Sequence, residues 1–278
     1  MINRACISIN NRCNLNCSYC HFHDTAKAAA LTSREMDVYT ILDNIKSHIE
    51  KYDIPVFKLG FVGNGEPLLD MADLSGYIAH IASYLKSGRI AAYTITNGTI
   101  ADEEAFRFLK AYNVNVGVSI DGLSPIHDKY RCDTHKQVIR TIELIHKING
   151  RYPSLNCTVG REVIEHTEET IDFFEKFDSR ITFSRMIGKY SIGLDEYRSF
   201  LEKAKRRLNV RTGGYDCTMY GGLCGAGINN IFYANGKIYL CGNCIDLDTP
   251  YSYDTPLDEV IFNINDFDRS HCYKEEHI

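Results

Sequence analysis

The chain carries 11 cysteines, and seven of them fall into two groups whose spacing suits metal chemistry. The front group consists of Cys13, Cys17 and Cys20. The back group consists of Cys217, Cys224, Cys241 and Cys244. The first residues form too short and too polar a stretch for a signal peptide, so we expect a cytoplasmic protein whose thiols stay reduced. Clustered thiols in that compartment indicate metal binding or catalysis rather than a disulfide framework.

The front group places three thiols within eight residues, directly after a predicted strand. Three thiolates on one loop can surround a single metal centre. A structural zinc site needs a fourth ligand, which His21 or His23 could supply. A four-iron cluster held by three cysteines instead leaves one iron open to another ligand.

Short apolar segments rich in β-branched residues alternate with amphipathic segments, and these elements must position the front group. The predicted strands cover residues 5–10, 56–62, 91–96, 115–120, 154–160 and 180–184. The predicted helices cover residues 33–50, 70–86, 102–112, 135–149, 166–177 and 194–209, and residues 32–35 offer the first of them an N-cap. Six β-α units in series predict a parallel sheet, as a partial barrel or an open doubly wound sheet, with ligands at the carboxyl ends of its strands.

The composition excludes several classes of protein. With 36 acidic and 31 basic residues the net charge is −5, so the chain has no electrostatic case for binding nucleic acid or an anionic membrane. Hydrophobic residues make up 44% of the chain, which supports a full core and excludes a disordered or fibrous protein. No run of 18 apolar residues predicts a membrane-spanning helix.

The front segment resembles the signature of the radical S-adenosylmethionine (SAM) superfamily, both in its cysteine spacing and in the aromatic Tyr19 before the third cysteine. In the segment Gly63-Asn64-Gly65-Glu66-Pro67, which follows the second predicted strand, Asn64 stands where this family prefers a glycine. The resemblance covers most of residues 5–190. Three further segments also resemble motifs of that family, each at or just after the end of a predicted strand: Gly63-Asn64-Gly65-Glu66-Pro67, Thr96-Asn97-Gly98-Thr99 and Ser119-Ile120-Asp121-Gly122.

The resemblance implies an α/β fold built as a partial (β/α)6 TIM-like barrel. The front cysteines would hold a [4Fe-4S] cluster whose open iron binds SAM, with Ser119 and Arg131 on the SAM carboxylate. One electron, from an external donor such as flavodoxin or ferredoxin, would cleave SAM to a 5′-deoxyadenosyl radical that abstracts a hydrogen atom from the substrate. The cofactor contacts implied by the resemblance are Tyr19, Gly63, Gly65, Glu66, Asn97, Ser119, Asp121 and Arg131.

The β-α rhythm stops near residue 212, where Gly213 and Gly214 follow. We therefore predict a barrel at 1–190, a linker helix at 191–212 and a Cys-rich C-terminal domain at 213–278. Segments 228–233 and 237–240 predict a β-hairpin, because Asn235-Gly236 between them is a typical two-residue hairpin turn.

The back group resembles the opening of the SPASM/twitch extension of radical SAM enzymes, with 11 residues between Cys224 and Gly236 and four between Gly236 and Cys241. This resemblance implies one auxiliary iron–sulfur cluster, held by Cys217, Cys224, Cys241 and Cys244. Cys272 is the competing fourth ligand, and a four-cysteine zinc site is the alternative.

The resemblance favours a radical SAM oxidoreductase that crosslinks, oxidises or epimerises a ribosomally made peptide. The alternatives are a dehydrogenase of an alcohol on a sugar or cyclitol, and a zinc-binding protein that is not an enzyme. Gly242 follows Cys241 where sulfatase-maturing relatives carry an aspartate base, which argues against that particular reaction. Cys6, Cys132 and Cys157 are interpreted as small apolar fillers. Cys157 lies on a predicted strand, so the alternative for it is to face the cavity as a hydrogen donor.

Overall fold

The computed structural model describes residues 1–20, 36–211, 215–264 and 267–276. Parallel strands alternate with helices through most of the described chain. The strands are β1 (Arg4–Ile7), β2 (Phe57–Phe61), β3 (Ile90–Thr96), β4 (Asn115–Ser119), β5 (Ser154–Val159), β6 (Arg180–Arg185), β7 (Asn209–Val210), β8 (Tyr215–Asp216), β9 (Leu223–Cys224), β10 (Asn230–Ala234) and β11 (Lys237–Tyr239). The α-helices are α1 (Val38–Lys51), α2 (Met71–His80), α3 (Ala82–Lys86), α4 (Glu103–Ala111), α5 (Ser124–Tyr130), α6 (His135–Asn149), α7 (Arg161–Glu165), α8 (Thr167–Phe174), α9 (Leu194–Lys205) and α10 (Tyr273–Glu276).

One nine-stranded sheet organises the fold, in the order β11-β10-β1-β2-β3-β4-β5-β6-β7. Strands β1 to β6 are neighbours in chain order and pair in parallel, as six β-α units require. Strands β11 and β7 are the two edges, so the described sheet is open rather than a closed barrel. The predicted partial (β/α)6 barrel is confirmed, and the carboxyl ends of β1 to β6 lie along one rim.

Local sequence explains most helix boundaries. Asp37 caps α1 by accepting the N–H of Tyr39 at 3.0 Å, so this helix begins later than predicted. The N-cap predicted at residues 32–35 lies outside the described residues. The predicted helix 70–86 is broken at Ile81 into α2 and α3. The last predicted helix ends at Lys205, because the following residues form β7 against β6.

The sheet separates two environments, which β5 shows clearly. Leu155, Cys157 and Val159 are buried, whereas the alternate residues of β5 are partly exposed. Cys157 pairs in register with Phe183, whose ring meets aromatic rings of helices α8 and α9. The buried set therefore faces the helices and belongs to the main hydrophobic core. In the described part of the chain, no helix has the length and apolar character that a membrane span needs.

The predicted hairpin is present as β10 and β11, with Asn235 and Gly236 at φ 51° and 77°. Both central residues of the turn are left-handed, as a two-residue hairpin turn requires. Strand β10 also pairs in parallel with β1, from Arg4 to Ile7. The main sheet therefore runs from the predicted barrel into the predicted C-terminal domain. Gly213 and Gly214, which suggested the boundary, lie outside the described residues.

Candidate active site

The loop that follows β1 carries Cys13, Cys17 and Cys20 at the rim of the sheet. The N–H of Cys20 donates to the Cys17 carbonyl at 3.0 Å, which closes a turn between these two cysteines. The loop is tied to the segment after β2, because the N–H of Glu66 donates to the carbonyl of Arg12 at 2.7 Å. Two rim segments that are far apart in sequence are thus joined at the backbone.

The two glycines of the motif after β2 allow this close approach. A Cβ atom on Gly65 would lie 1.9 Å from Oδ1 of Asn10 and 2.3 Å from the carbonyl oxygen of Arg12. A Cβ atom on Gly63 would lie 2.6 Å from Ser8, and Gly63 has φ 154°. Because no side chain fits at Gly65, the cysteine loop packs directly on the backbone of this motif.

Glu66 connects the ends of β2 and β3. Its Oε1 accepts the N–H of Leu68 at 3.1 Å, and its Oε2 accepts the N–H of Asn97 at 2.6 Å. The side chain is 2% exposed. Burial raises the pKa of Glu66, and the N–H groups of Asn97 and Leu68 oppose that rise. The carboxylate is thus a buried acceptor that fixes two rim loops.

Asn97 contacts the cysteine loop directly. Its Nδ2 donates to Oδ1 of Asn14 at 2.8 Å and approaches the sulfur of Cys13 at 3.8 Å. Its Oδ1 accepts the N–H and the hydroxyl of Thr99 at 2.9 and 2.7 Å. Asn14 and the Thr99 hydroxyl are not among the site residues predicted from the sequence, although the density of asparagines in residues 10–16 is a signal for such a network.

Asp121, Tyr19 and Arg131 form a buried polar group beside the same loop. Oδ2 of Asp121 accepts the Tyr19 hydroxyl at 2.5 Å and Nε of Arg131 at 2.8 Å. Its Oδ1 accepts the N–H of Thr158 at 2.8 Å. The guanidinium carbon of Arg131 lies 5.4 Å from the centre of the Tyr19 ring, in a cation–π arrangement.

Ser119 ends β4 on this rim and pairs in register with Asn156 of β5. Nδ2 of Asn156 is buried and has no hydrogen-bond partner in the described structure. Buried polar groups are normally paired, so an unpaired donor beside Ser119 fits a site that receives a polar ligand. The sequence contained no specific signal for Asn156, a polar residue on a short strand.

The donor chemistry of the front loop fits an iron–sulfur cluster. The side chains of Cys13, Cys17 and Cys20 are all partly exposed. Among the described residues, no three His, Cys, Asp or Glu side chains are grouped closely enough to hold one metal ion. A cluster places each thiolate on a different iron, so its ligand sulfurs need not converge on one ion. His21 and His23, proposed as a fourth zinc ligand, lie outside the described residues.

The back cysteines lie together in the C-terminal part of the chain. Sγ of Cys241 lies 3.5 Å from Sγ of Cys244. Burial raises the pKa of the Cys217 thiol, and electrostatic repulsion from Cys241, Cys272 and Cys224 adds to the rise. Cys244 and Cys272 are both in this neighbourhood, so the identity of the fourth ligand stays a prediction.

The structure does not give Cys157 the position that a hydrogen donor needs. This side chain is 1% exposed and lies on the helix-covered face of β5, so the expectation that it faces a cavity is wrong. At Gly242, a Cβ atom would lie 3.0 to 3.4 Å from ring atoms of Phe232. An aromatic ring therefore occupies the direction in which a side chain at this position would point.

A model of the radical SAM superfamily matches residues 7–174, which contain the front cysteines and the rim motifs just described. The chain belongs to the radical SAM superfamily. Members of this superfamily use a [4Fe-4S] cluster and SAM. The rim formed by the cysteine loop, Glu66 and Asn97 is thus the candidate active site of a radical SAM enzyme.

Two curated relatives show the range of activities among similar proteins. A cysteine-type anaerobic sulfatase-maturating enzyme of Clostridium novyi is 29% identical over 210 residues, which cover 69% of this chain and 56% of that protein. The radical SAM cyclopropyl synthase TigE of Paramaledivibacter caminithermalis is 27% identical over 191 residues, covering 61% of this chain and 38% of that protein. The chain therefore spans about half the length of the first relative and less of the second.

Solved structures share the fold. Native anSMEcpe with bound AdoMet has a TM-score of 0.70 at 19% identity, over 92% of this chain and 79% of that one. Streptococcus suis SuiB bound to S-adenosylmethionine has a TM-score of 0.70 at 15% identity, over 92% of this chain and 62% of that one. At these identities the likeness shows the fold alone.

Proposed function

We propose that this radical SAM enzyme oxidatively modifies a peptide. The observation that carries the radical SAM part is the backbone contact between the cysteine loop and Gly65-Glu66, which joins the two matching motifs at one rim. The peptide part is supported by the relatives, because one structure of similar fold, at 20% identity and a TM-score of 0.69, holds a bound Cp18Cys peptide.

The chain's own residues would bind and orient the cofactors. Cys13, Cys17 and Cys20 would hold the front cluster, with Asn97 beside the Cys13 sulfur. When bound, the front cluster and SAM supply a carbon-centred oxidant that removes a hydrogen atom from a substrate carbon. Buried Glu66 keeps the rim loops in place, so the cofactor site is formed before SAM arrives.

Four residues at the rim are the proposed contacts to SAM itself. Gly63 and Gly65 are proposed as backbone contacts to SAM, while the direction that a side chain would take at each is filled by Ser8 or by Asn10 and Arg12. Ser119 and Arg131 are proposed to bind the SAM carboxylate, because the guanidinium of Arg131 can donate two parallel hydrogen bonds to a carboxylate. The unpaired Nδ2 of Asn156 beside Ser119 offers a further donor to SAM or to the substrate.

The back cysteines are proposed to hold one auxiliary iron–sulfur cluster. Sγ of Cys241 lies 3.5 Å from Sγ of Cys244, and Cys224 belongs to the same small packed cluster of side chains. Nη1 of Arg269 donates to the carbonyls of Cys224 and Ala226 at 2.8 and 3.0 Å, which holds this loop against the C-terminal segment.

The reaction we propose is not the maturation of a sulfatase. Gly242 has no carboxylate, and the Phe232 ring occupies the direction its side chain would take. A base at this position is therefore missing, and its surroundings are apolar. We expect instead the net loss of two hydrogens from a peptide carbon framework, as a crosslink or a new carbonyl.

The first test uses protein purified and reconstituted without oxygen. With SAM and dithionite it should form 5′-deoxyadenosine, and the triple variant Cys13→Ala, Cys17→Ala, Cys20→Ala should form none. The double variant Cys241→Ala, Cys244→Ala is the matched comparison, because it should lose iron while still cleaving SAM. SAM cleavage by the triple variant at the wild-type rate would refute the assignment of the front site.

The second test identifies the product. Peptides encoded beside the gene are incubated with the enzyme in light and heavy water and analysed by mass spectrometry. A loss of two hydrogens supports the proposal. An unchanged mass with one deuterium incorporated indicates epimerisation, and a gain of a methyl group contradicts hydrogen-atom chemistry without group transfer.

A further inference from the structure

Asp121 lies at the centre of the rim but is closed to any bound molecule. Its exposure is 0%. Both of its oxygens accept hydrogen bonds from the protein, Oδ2 from Tyr19 and Arg131 and Oδ1 from the N–H of Thr158. Its own N–H donates to Nδ1 of His127 at 3.2 Å. A carboxylate enclosed in this way cannot be a direct contact to SAM, contrary to the expectation from the sequence.

The two side chains that Asp121 binds belong to different parts of the site. Tyr19 directly precedes Cys20 on the cysteine loop, whereas Arg131 follows α5. The described hydrogen bonds of Arg131 use only Nε, so the pair of Nη groups stays available for another acceptor. Because the guanidinium is planar and rigid, holding Nε fixes the direction in which both Nη groups point.

We propose that Asp121 is a positioning residue that aims the Arg131 guanidinium at the SAM carboxylate and holds it in register with the cysteine loop through Tyr19. This inference rests on the proposed function and concerns the same site. The carboxylate lies between the loop that would hold the cluster and the arginine that would hold SAM. It thereby sets the distance between the cysteine loop and the Arg131 guanidinium.

A second carboxylate in this part of the fold provides a matched control. Glu162 on α7 accepts the Tyr130 hydroxyl at 2.5 Å and forms an ion pair with Lys129. It thus binds one tyrosine and one cation, as Asp121 does. Lys129 is exposed, however, and Glu162 contacts neither the cysteine loop nor Arg131 in the described interactions. Its partner Tyr130 packs against Tyr19 with ring centres 5.6 Å apart, so Glu162→Gln tests the loss of a similar network that is one side chain removed from the cysteine loop.

The experiment compares reconstituted wild type, Asp121→Asn, Tyr19→Phe, the double variant of these two, and Glu162→Gln. Equilibrium dialysis measures the dissociation constant for SAM, and iron analysis and thermal unfolding are measured on the same samples. Asp121→Asn should weaken SAM binding by roughly tenfold or more, since a hydrogen bond to a charged group is worth about that factor. Iron content should stay at the wild-type level, because the cysteines are intact.

Tyr19→Phe removes one hydroxyl and keeps the ring, so it tests the proposal even if Asp121→Asn does not fold. It should weaken SAM binding a few-fold. The double variant should bind SAM no more weakly than Asp121→Asn, because the two changes remove one shared interaction. Glu162→Gln should bind SAM like the wild type.

Two results would overturn the proposal. One is wild-type affinity for SAM in both Asp121→Asn and Tyr19→Phe. The other is a loss of SAM binding that follows a loss of iron, since Asp121 would then support only the cysteine loop. If the wild type itself neither binds nor cleaves SAM, the proposed function fails, and this outcome is distinct from a failure of Asp121 alone.

Discussion

Replacing Gly65 with alanine isolates the contact that joins the cysteine loop to the rim. Gly65 is not among the glycines with positive φ, so its backbone conformation is open to alanine. The added Cβ would nevertheless lie 1.9 Å from Oδ1 of Asn10, 2.3 Å from the carbonyl oxygen of Arg12 and 2.8 Å from its nitrogen. Asn10 can rotate, but the Arg12 backbone can move only with the loop that carries Cys13.

The free-energy cost of Gly65→Ala comes mainly from the contact with the Arg12 backbone, because Asn10 can rotate away. Overpacking of this kind costs about 1–3 kcal/mol, and each kcal/mol lowers the Tm of a protein of this size by roughly 2–4 °C. We therefore expect Gly65→Ala to lower the Tm by several degrees. It should also reduce both the iron bound by the front group and the rate of 5′-deoxyadenosine formation, because the shift is imposed on the cysteine loop.

Gly150→Ala is the matched control. Gly150 ends α6 with φ 73°, and a Cβ atom there would meet nothing within 4 Å. Its penalty is purely conformational, about 1–2 kcal/mol, and lies far from the cysteines in sequence. Thermal unfolding, iron analysis and SAM cleavage are measured on both variants. If Gly65→Ala keeps full iron and full SAM cleavage, or if Gly150→Ala loses as much of both, the reasoning about loop packing is wrong.

Two further predictions concern buried groups. Burial lowers the pKa of His127 to about 4. The imidazole of His127 therefore stays neutral in the native state, whereas in the unfolded chain it takes up a proton below its ordinary pKa of 6.5. The free energy of unfolding should therefore fall as the pH drops from about 6.5 towards 4. Urea unfolding should show a smaller fall in this free energy between pH 7 and pH 5 for His127→Gln than for the wild type. Equal falls in the two proteins would contradict this explanation. Cys157→Ser should lower the Tm, because it buries a hydroxyl group at a cost of about 1–3 kcal/mol, but it should keep SAM cleavage per folded molecule. Loss of cleavage at an unchanged Tm would restore a chemical role for Cys157.

Apolar periodicity and turn residues within short stretches of sequence were sufficient to predict the six β-α units and the hairpin. The strands from β2 to β6 lie within a residue or so of their predicted positions, because each is a short apolar run that the turn residues bound on both sides. The left-handed pair Asn235 and Gly236 likewise formed the turn that its dipeptide predicts. Helices α5 and α7 were missed, since seven and five residues are too few to show a helical period.

The type of chemistry could be predicted from local patterns in the chain, whereas the partners of each site residue follow from the way the chain folds. Cysteine spacing and the motifs after three strands are local, so they can be read without a fold. The bond from Tyr19 to Asp121 spans 102 positions, and the pairing of β10 with β1 joins opposite ends of the chain. Residue type and periodicity cannot specify such partners, because many polar side chains could satisfy the same carboxylate. Burial selects among them: once the sheet and helices enclose Asp121, the side-chain oxygens accept hydrogen bonds from Tyr19, Arg131 and the N–H of Thr158 among the residues that the structure describes.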